Sequence, residues 1–138
     1  MFWLDRIRYK TCKIVNKKGW INIYKYFSDK NIWPRGLPLN HINSPICPYD
    51  DLHENNLDLP IQQGLTDDDP DVDAIYRLVN QSPLIFENNN RNIALAKGVW
   101  CPFNSQNTTW SKDAFPLLYL PYYCSFRMTD IWRSFVAQ

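Results

Sequence analysis

Four prolines fall within fifteen positions, Pro34, Pro38, Pro45 and Pro48, and they restrict this chain more than any other feature. Proline offers a sheet no donor and drives its predecessor into extended geometry. Residues 33–49 therefore read as an irregular segment laid over a surface, neither helix nor ladder. Pro116 and Pro121 act in the same way further on. They interrupt the longest uncharged apolar stretch, residues 114–126, which is also shorter than the ~18 residues of a membrane helix.

What remains comes in short pieces. Ile21, Ile23, Tyr24 and Tyr26 predict a short strand or turn within a lead-in rich in aromatic and basic residues. Residues 50–60 are polar and acidic, which predicts an exposed loop, and residues 59–65 a short buried strand. Residues 71–80 carry the clearest helix pattern. Acidic residues at the start suit its orphan N–H groups, and Ala74, Ile75, Leu78 and Val79 recur at helical spacing as its apolar face. A strand is expected over 93–101. A helix opened by Ser111 and limited by Pro116 is expected over 111–120. An aromatic-rich helix capped by Thr129 or Asp130 is expected over 129–138. No Gly or Pro stops that last pattern before Gln138, so it reads as an element cut short. The expected fold is α/β, with short strands and helices and an incomplete domain. Residues 1–19 form its lead-in and residues 20–138 the domain proper.

Composition removes several function classes. Fifteen Lys and Arg against 14 Asp and Glu leave a net charge of +1, so no bulk field favours nucleic acid or an anionic membrane. Asp5, Arg6 and Arg8 follow the apolar residues 1–4 too closely for a secretory signal. Cys12, Cys47, Cys101 and Cys124 form no CxxC pair. With only His41 and His53 beside them a zinc site is not expected; spacing selects none of the three possible disulfide pairings, and free, partly buried thiols are the preferred reading. No GxSxG, phosphate loop or GxGxxG is present.

Three clusters could carry chemistry. Asp67, Asp68, Asp69, Asp71 and Asp73 place five carboxylates in seven positions. Such crowding needs a cation, N–H donors or arginine to relieve repulsion. The spacing excludes an EF-hand, and two readings stay open: a loose divalent site for a diphosphate, or a helix-capping loop with Arg77 as counter-ion. The second cluster, residues 103–110, sets Asn104, Gln106 and Asn107 between Phe103 and Trp110. Amides exchange hydrogen bonds with hydroxyls while aromatic faces cover C–H surface, as a polyhydroxylated ligand requires; a polar turn would look the same. Asn107–Thr109 also fits a glycosylation sequon, which matters only in a secreted chain. The third cluster sets Asp130 at a helix start between Arg127 and Arg133. There it is either a carboxylate available to a substrate hydroxyl or an N-cap with flanking salt bridges.

The order of these motifs is itself informative. Residues 32–39 (IWPRGLPL), 61–65 (IQQGL) leading into 69–78 (DPDVDAIYRL), 102–108 (PFNSQNT) and 130–133 (DIWR) together resemble the STELLO-type glycosyltransferase family. More distantly they are similar to the reversibly glycosylated polypeptides, or UDP-arabinopyranose mutases. The resemblance implies the acceptor-side portion of a GT-A-like fold, with the nucleotide-binding half lying elsewhere. It implies glycosyl transfer from a nucleotide sugar to a carbohydrate acceptor, in the Golgi, with Mn or Mg as a possible cofactor. It places Asp71, Asp73, Asn104, Gln106 and Arg133 at the substrate, Asp130 as the acceptor-orienting carboxylate or base, and Asp67 and Asp69 at the metal. The implied alternative is a non-catalytic scaffold that binds a glycan or a partner protein.

Overall fold

The computed structural model describes residues 10–80, 83–87 and 90–138, so residues 1–9 of the expected lead-in lie outside the described residues. The architecture is α/β with short strands. Strand β1 (Lys10–Val15) is the centre of a three-stranded sheet. It runs antiparallel to β3 (His53–Leu57), from Lys10 opposite Leu57 to Ile14 opposite His53. On its other side it runs parallel to β5 (Ile93–Leu95). The later part of the lead-in is thus woven into the sheet. A second parallel pair joins β2 (Gly19–Trp20) to β6 (Val99–Trp100). Lys13, Ile14 and Val15 of β1 and both residues of β2 pair with the residue 80 positions further along, so the two pairs are one ladder with a gap. Gly98, at φ +84°, supplies the turn that opens the gap, and the strand expected over 93–101 is therefore two strands. Strands β4 (Ile61–Gln63) and β7 (Thr108–Trp110) form a separate antiparallel pair.

Several expectations change for identifiable reasons. Residues 23–26 form a 3₁₀ turn, not a strand, and it points Tyr24 and Tyr26 inward. Residues 53–57 are not a loop. They form an edge strand whose largely exposed side chains hide the alternation by which strands are recognised, and the backbone ladder makes the pairing with one added bond, from Thr11 Oγ1 to Asn56 Oδ1 at 2.8 Å. Strand β4 is half-exposed, not buried. The proline-rich segment is irregular as expected, but it is no surface strap: Trp33, Pro34 and Leu37 are buried within it. Residues 112–117 form a 3₁₀ helix containing Pro116, without a side-chain cap from Ser111.

Helix α1 (Ala74–Val79) starts three residues later than the pattern over 71–80 predicts, because the Asp73 carboxylate accepts the Ile75 N–H at 2.8 Å and caps it there. Its burial is the reverse of the pattern: Ile75, Leu78 and Val79 face outward and only Tyr76 points in. One ring suffices to anchor so short a helix, since Tyr76 meets Trp33 edge to face with centroids 5.0 Å apart. Helix α2 (Thr129–Ala137) begins after Met128, not at a Thr129 or Asp130 cap.

The core gathers around Val15, Tyr26, Ile32, Trp33, Phe86 and Val99. Asn22 is fully buried within it and donates Nδ2–H to the Ile32 carbonyl at 2.8 Å, which fixes the entry to the proline-rich segment. All four thiols are free, with Cys12 and Cys101 buried. The far end of α2 is tied to this core through Gln138. Its amide accepts from the Cys101 N–H at 3.0 Å and donates to the Cys101 carbonyl at 2.8 Å.

The core generates three predictions. Gly36 sits at φ +88°, and a Cβ there would lie 2.6 Å from Cγ2 of buried Ile131 on α2. Gly36→Ala should destabilise the fold by about 2–4 kcal/mol in urea denaturation, combining backbone strain with overpacking. Burial also pushes the Cys101 thiol up to about 12 from 9.0 and the Tyr26 phenol to about 12 from 10.0. Both groups hold their protons longer folded than unfolded. Stability should therefore be intact below about pH 9 and fall as pH rises toward 12, read as a falling urea midpoint. For the same reason alkylation mapped by mass spectrometry should reach Cys124 before Cys101.

Candidate functional site

The proline-rich segment delivers Arg35 to the acidic loop. Pro34 bridges to Val72, and the Arg35 N–H donates to the Asp71 carbonyl at 3.3 Å. From that anchor the guanidinium forks. Nε donates to both Asp71 carboxylate oxygens, at 2.9 and 3.0 Å. Nη2 donates to Asp71 Oδ2 at 2.6 Å and to Asp130 Oδ2 at 2.8 Å, and Nη1 donates to the Arg127 carbonyl. Planar two-pronged pairing of this kind is what arginine provides and lysine does not. The side chains of Arg35, Asp71 and Asp130 keep only 15%, 21% and 19% of their surface exposed. Burial alone would lower the Arg35 pKa, but hydrogen bonds and charge from Asp71 and Asp130 outweigh it and raise the value.

The amide cluster closes the arrangement. Gln106 accepts the Asp71 N–H at 3.0 Å and donates to the Asp69 carbonyl at 2.8 Å, gripping the acidic loop from the opposite side. Asn104, itself buried, accepts the Gln106 N–H at 2.8 Å, and its own N–H donates to Gln63 Oε1 at 3.1 Å. The Ser105 N–H donates to Asp130 Oδ2 at 3.3 Å. Arg133 donates to Ser105 Oγ and lies over the Trp110 ring, 5.5 Å from its centroid.

Asp71, Asn104, Gln106 and Asp130 are thus joined in one hydrogen-bonded network, with Arg133 attached through Ser105. Asp73 is spent on capping α1. Asp67 accepts the Phe86 N–H at 2.9 Å, and Asp69 pairs with Arg77. Arg77 is therefore a counter-ion as one reading of the sequence had it, but for Asp69 alone. Neither sequence neighbour of Asp130 neutralises it: Arg127 contributes only a carbonyl and Arg133 turns to Ser105. Among the described residues no three His, Cys, Asp or Glu side chains gather as a metal site would need.

Arg35 and Ser105 are the members that sequence reasoning missed. Arg35 stands in the IWPRGLPL motif, and the signal was the unanswered charge: five clustered carboxylates required more than Arg77. Chemically, the network presents amide and hydroxyl groups beside two aromatic rings, Phe103 and Trp110, whose centroids are 5.8 Å apart. Asp130 accepts from Arg35, Ser105 and its neighbour Ile131, so it orients other groups while these bonds hold.

Arg35→Met leaves two partly buried carboxylates without their cation and should cost about 2–4 kcal/mol of stability in urea denaturation. Arg35→Lys should recover less than half of that loss. The double-mutant cycle with Asp130→Asn should show a coupling of about 1–3 kcal/mol.

No family model matches the chain. Over 125 residues, 86% of this chain, it is 30% identical to the probable glycosyltransferases STELLO1 and STELLO2 of Arabidopsis thaliana. The matched stretch amounts to 16% of the length of each of those proteins. The resemblance carried by the motifs is thereby shown over most of the chain: its similarity is to the STELLO-type glycosyltransferases, of whose length it spans a small part.

Proposed function

We propose that the Arg35-centred network is the acceptor side of a GT-A-type glycosyltransferase site, taking part in sugar transfer from a nucleotide sugar to a carbohydrate acceptor. The observation that carries this reading is convergence. Residues from three separated motifs, Asp71, Asn104 with Gln106, and Asp130, meet in one network in a chain similar to named glycosyltransferases. In this reading the amides of Asn104 and Gln106 hydrogen-bond sugar hydroxyls, and Phe103 and Trp110 cover C–H surface. Asp130 orients the acceptor hydroxyl, or takes its proton once that hydroxyl has replaced the bond from Arg35. Arg133 and Asp73 flank the bound sugar. In this reading the nucleotide falls to the larger part of a STELLO-type protein outside the matched stretch, any Mn or Mg would be shared between that part and Asp67 and Asp69, and this chain alone transfers no sugar. A Golgi location follows the family in this reading. Among the described residues no helix is long and apolar enough to cross a membrane.

A second reading, a non-catalytic scaffold holding a glycan or protein, has its own support: Arg35 occupies both Asp71 and Asp130. One experiment separates these ideas. Neutral oligosaccharides titrated into the labelled chain should shift the amide resonances of Asp71, Ser105, Gln106 and Ile131. Asp130→Asn should weaken that binding at least about tenfold. If Asp130→Asn leaves saccharide affinity unchanged, the scaffold reading prevails. If no saccharide moves those amides, the site is wrongly placed. Micromolar affinity for a nucleotide sugar in calorimetry would refute the assignment of the donor to another part of the protein.

A further inference from the structure

The segment following the 3₁₀ helix of residues 112–117 holds the three most exposed aromatic rings among the described residues. Tyr122, Tyr123 and Phe126 are 88%, 98% and 92% exposed, and Phe115, Tyr119 and Leu120 beside them are also open to solvent. The Tyr122 and Tyr123 rings support each other edge to face, 5.1 Å apart. Residues 114–126 carry no charged side chain. Folded monomers seldom leave an apolar patch of this size uncovered.

We infer that residues 115–126 form the contact of a two-fold homodimer, with the same segment of a second copy as its partner. Two observations select that occupant. The first is the lack of charge. An isologous contact sets each residue against the same patch, so a segment with no ionisable group meets its copy without like-charge repulsion. The second is area. At about 150–250 Å² per ring, Tyr122, Tyr123 and Phe126 alone offer roughly 500–700 Å². Leu120, Phe115 and Tyr119 bring the patch to the roughly 800 Å² per partner of a stable interface. A lipid surface is disfavoured, because the segment is mostly irregular backbone and Lys112 is offset by Asp113, leaving Arg127 as the nearby cation. The inference is independent of the sugar-transfer reading.

Light scattering coupled to size exclusion tests it on the full chain across a dilution series. The expected mass is that of two chains, dissociating on dilution to one. The variant Tyr122→Ser/Tyr123→Ser/Phe126→Ser alters only side chains open to solvent. It should keep the thermal melting transition while its dimer dissociation constant rises at least about tenfold. A milder Tyr123→Ser should shift the constant in the same direction. A single-chain mass at every concentration would overturn the inference. So would masses climbing past two without a plateau, a dimer indifferent to these variants, or a monomer that floats with phosphatidylcholine–phosphatidylserine vesicles.

Discussion

Two carboxylates 59 positions apart in sequence, Asp71 and Asp130, share one guanidinium, and that sharing orders the whole site face of the molecule. Charges so close cannot settle side by side in partly desolvated surroundings without a cation between them. Arg35 is held in place by what surrounds it. The Pro34–Val72 bridge fixes its backbone, and Gly36 lets the chain pass against Ile131 where no side chain would fit. Helix α2 can then bring Asp130 within reach. The backbone economy of a proline-rich segment and the electrostatics of an acidic loop thus become one problem with one solution.

The amide cluster plays the complementary part. Gln106 and Asn104 spend their hydrogen bonds on backbone groups of the acidic loop and of their own turn, while Ser105 reaches Asp130. Amides can do this because each both donates and accepts, so a short loop can satisfy strands and carboxylates around it without adding charge. The same two-way capacity lets such groups exchange a protein partner for a hydroxyl at small cost. A network satisfied within the protein is therefore compatible with one that exchanges some of its bonds for those of a hydroxylated ligand.

Much of the site was legible in sequence because its chemistry is local. The carboxylate run, the amides framed by aromatic rings and the acid at a helix start are each visible in a few residues. What the sequence hid was pairing. Arg127 and Arg133 flank Asp130 along the chain, yet the cation that meets it comes from 95 positions away. The fold shows the same division. An acidic start for α1 and the irregularity of the proline segment could be read directly. Helix α1 could not, because one tyrosine provides its burial while Ile75, Leu78 and Val79 face solvent. Strand β3 escaped because its ladder rests on backbone atoms and leaves no apolar alternation behind.

The interrupted parallel ladder has a consequence of its own. Its two halves keep the same spacing across the gap, so the linkers over 16–18 and 96–98 must be equal in length. A residue inserted into one linker alone would turn every following side chain to the opposite side of its strand. It would also draw the Cys101–Gln138 clasp, and with it the far end of α2, out of line. Length variation in these linkers is therefore tolerable only when both change together, even though nearly eighty residues of chain lie between them.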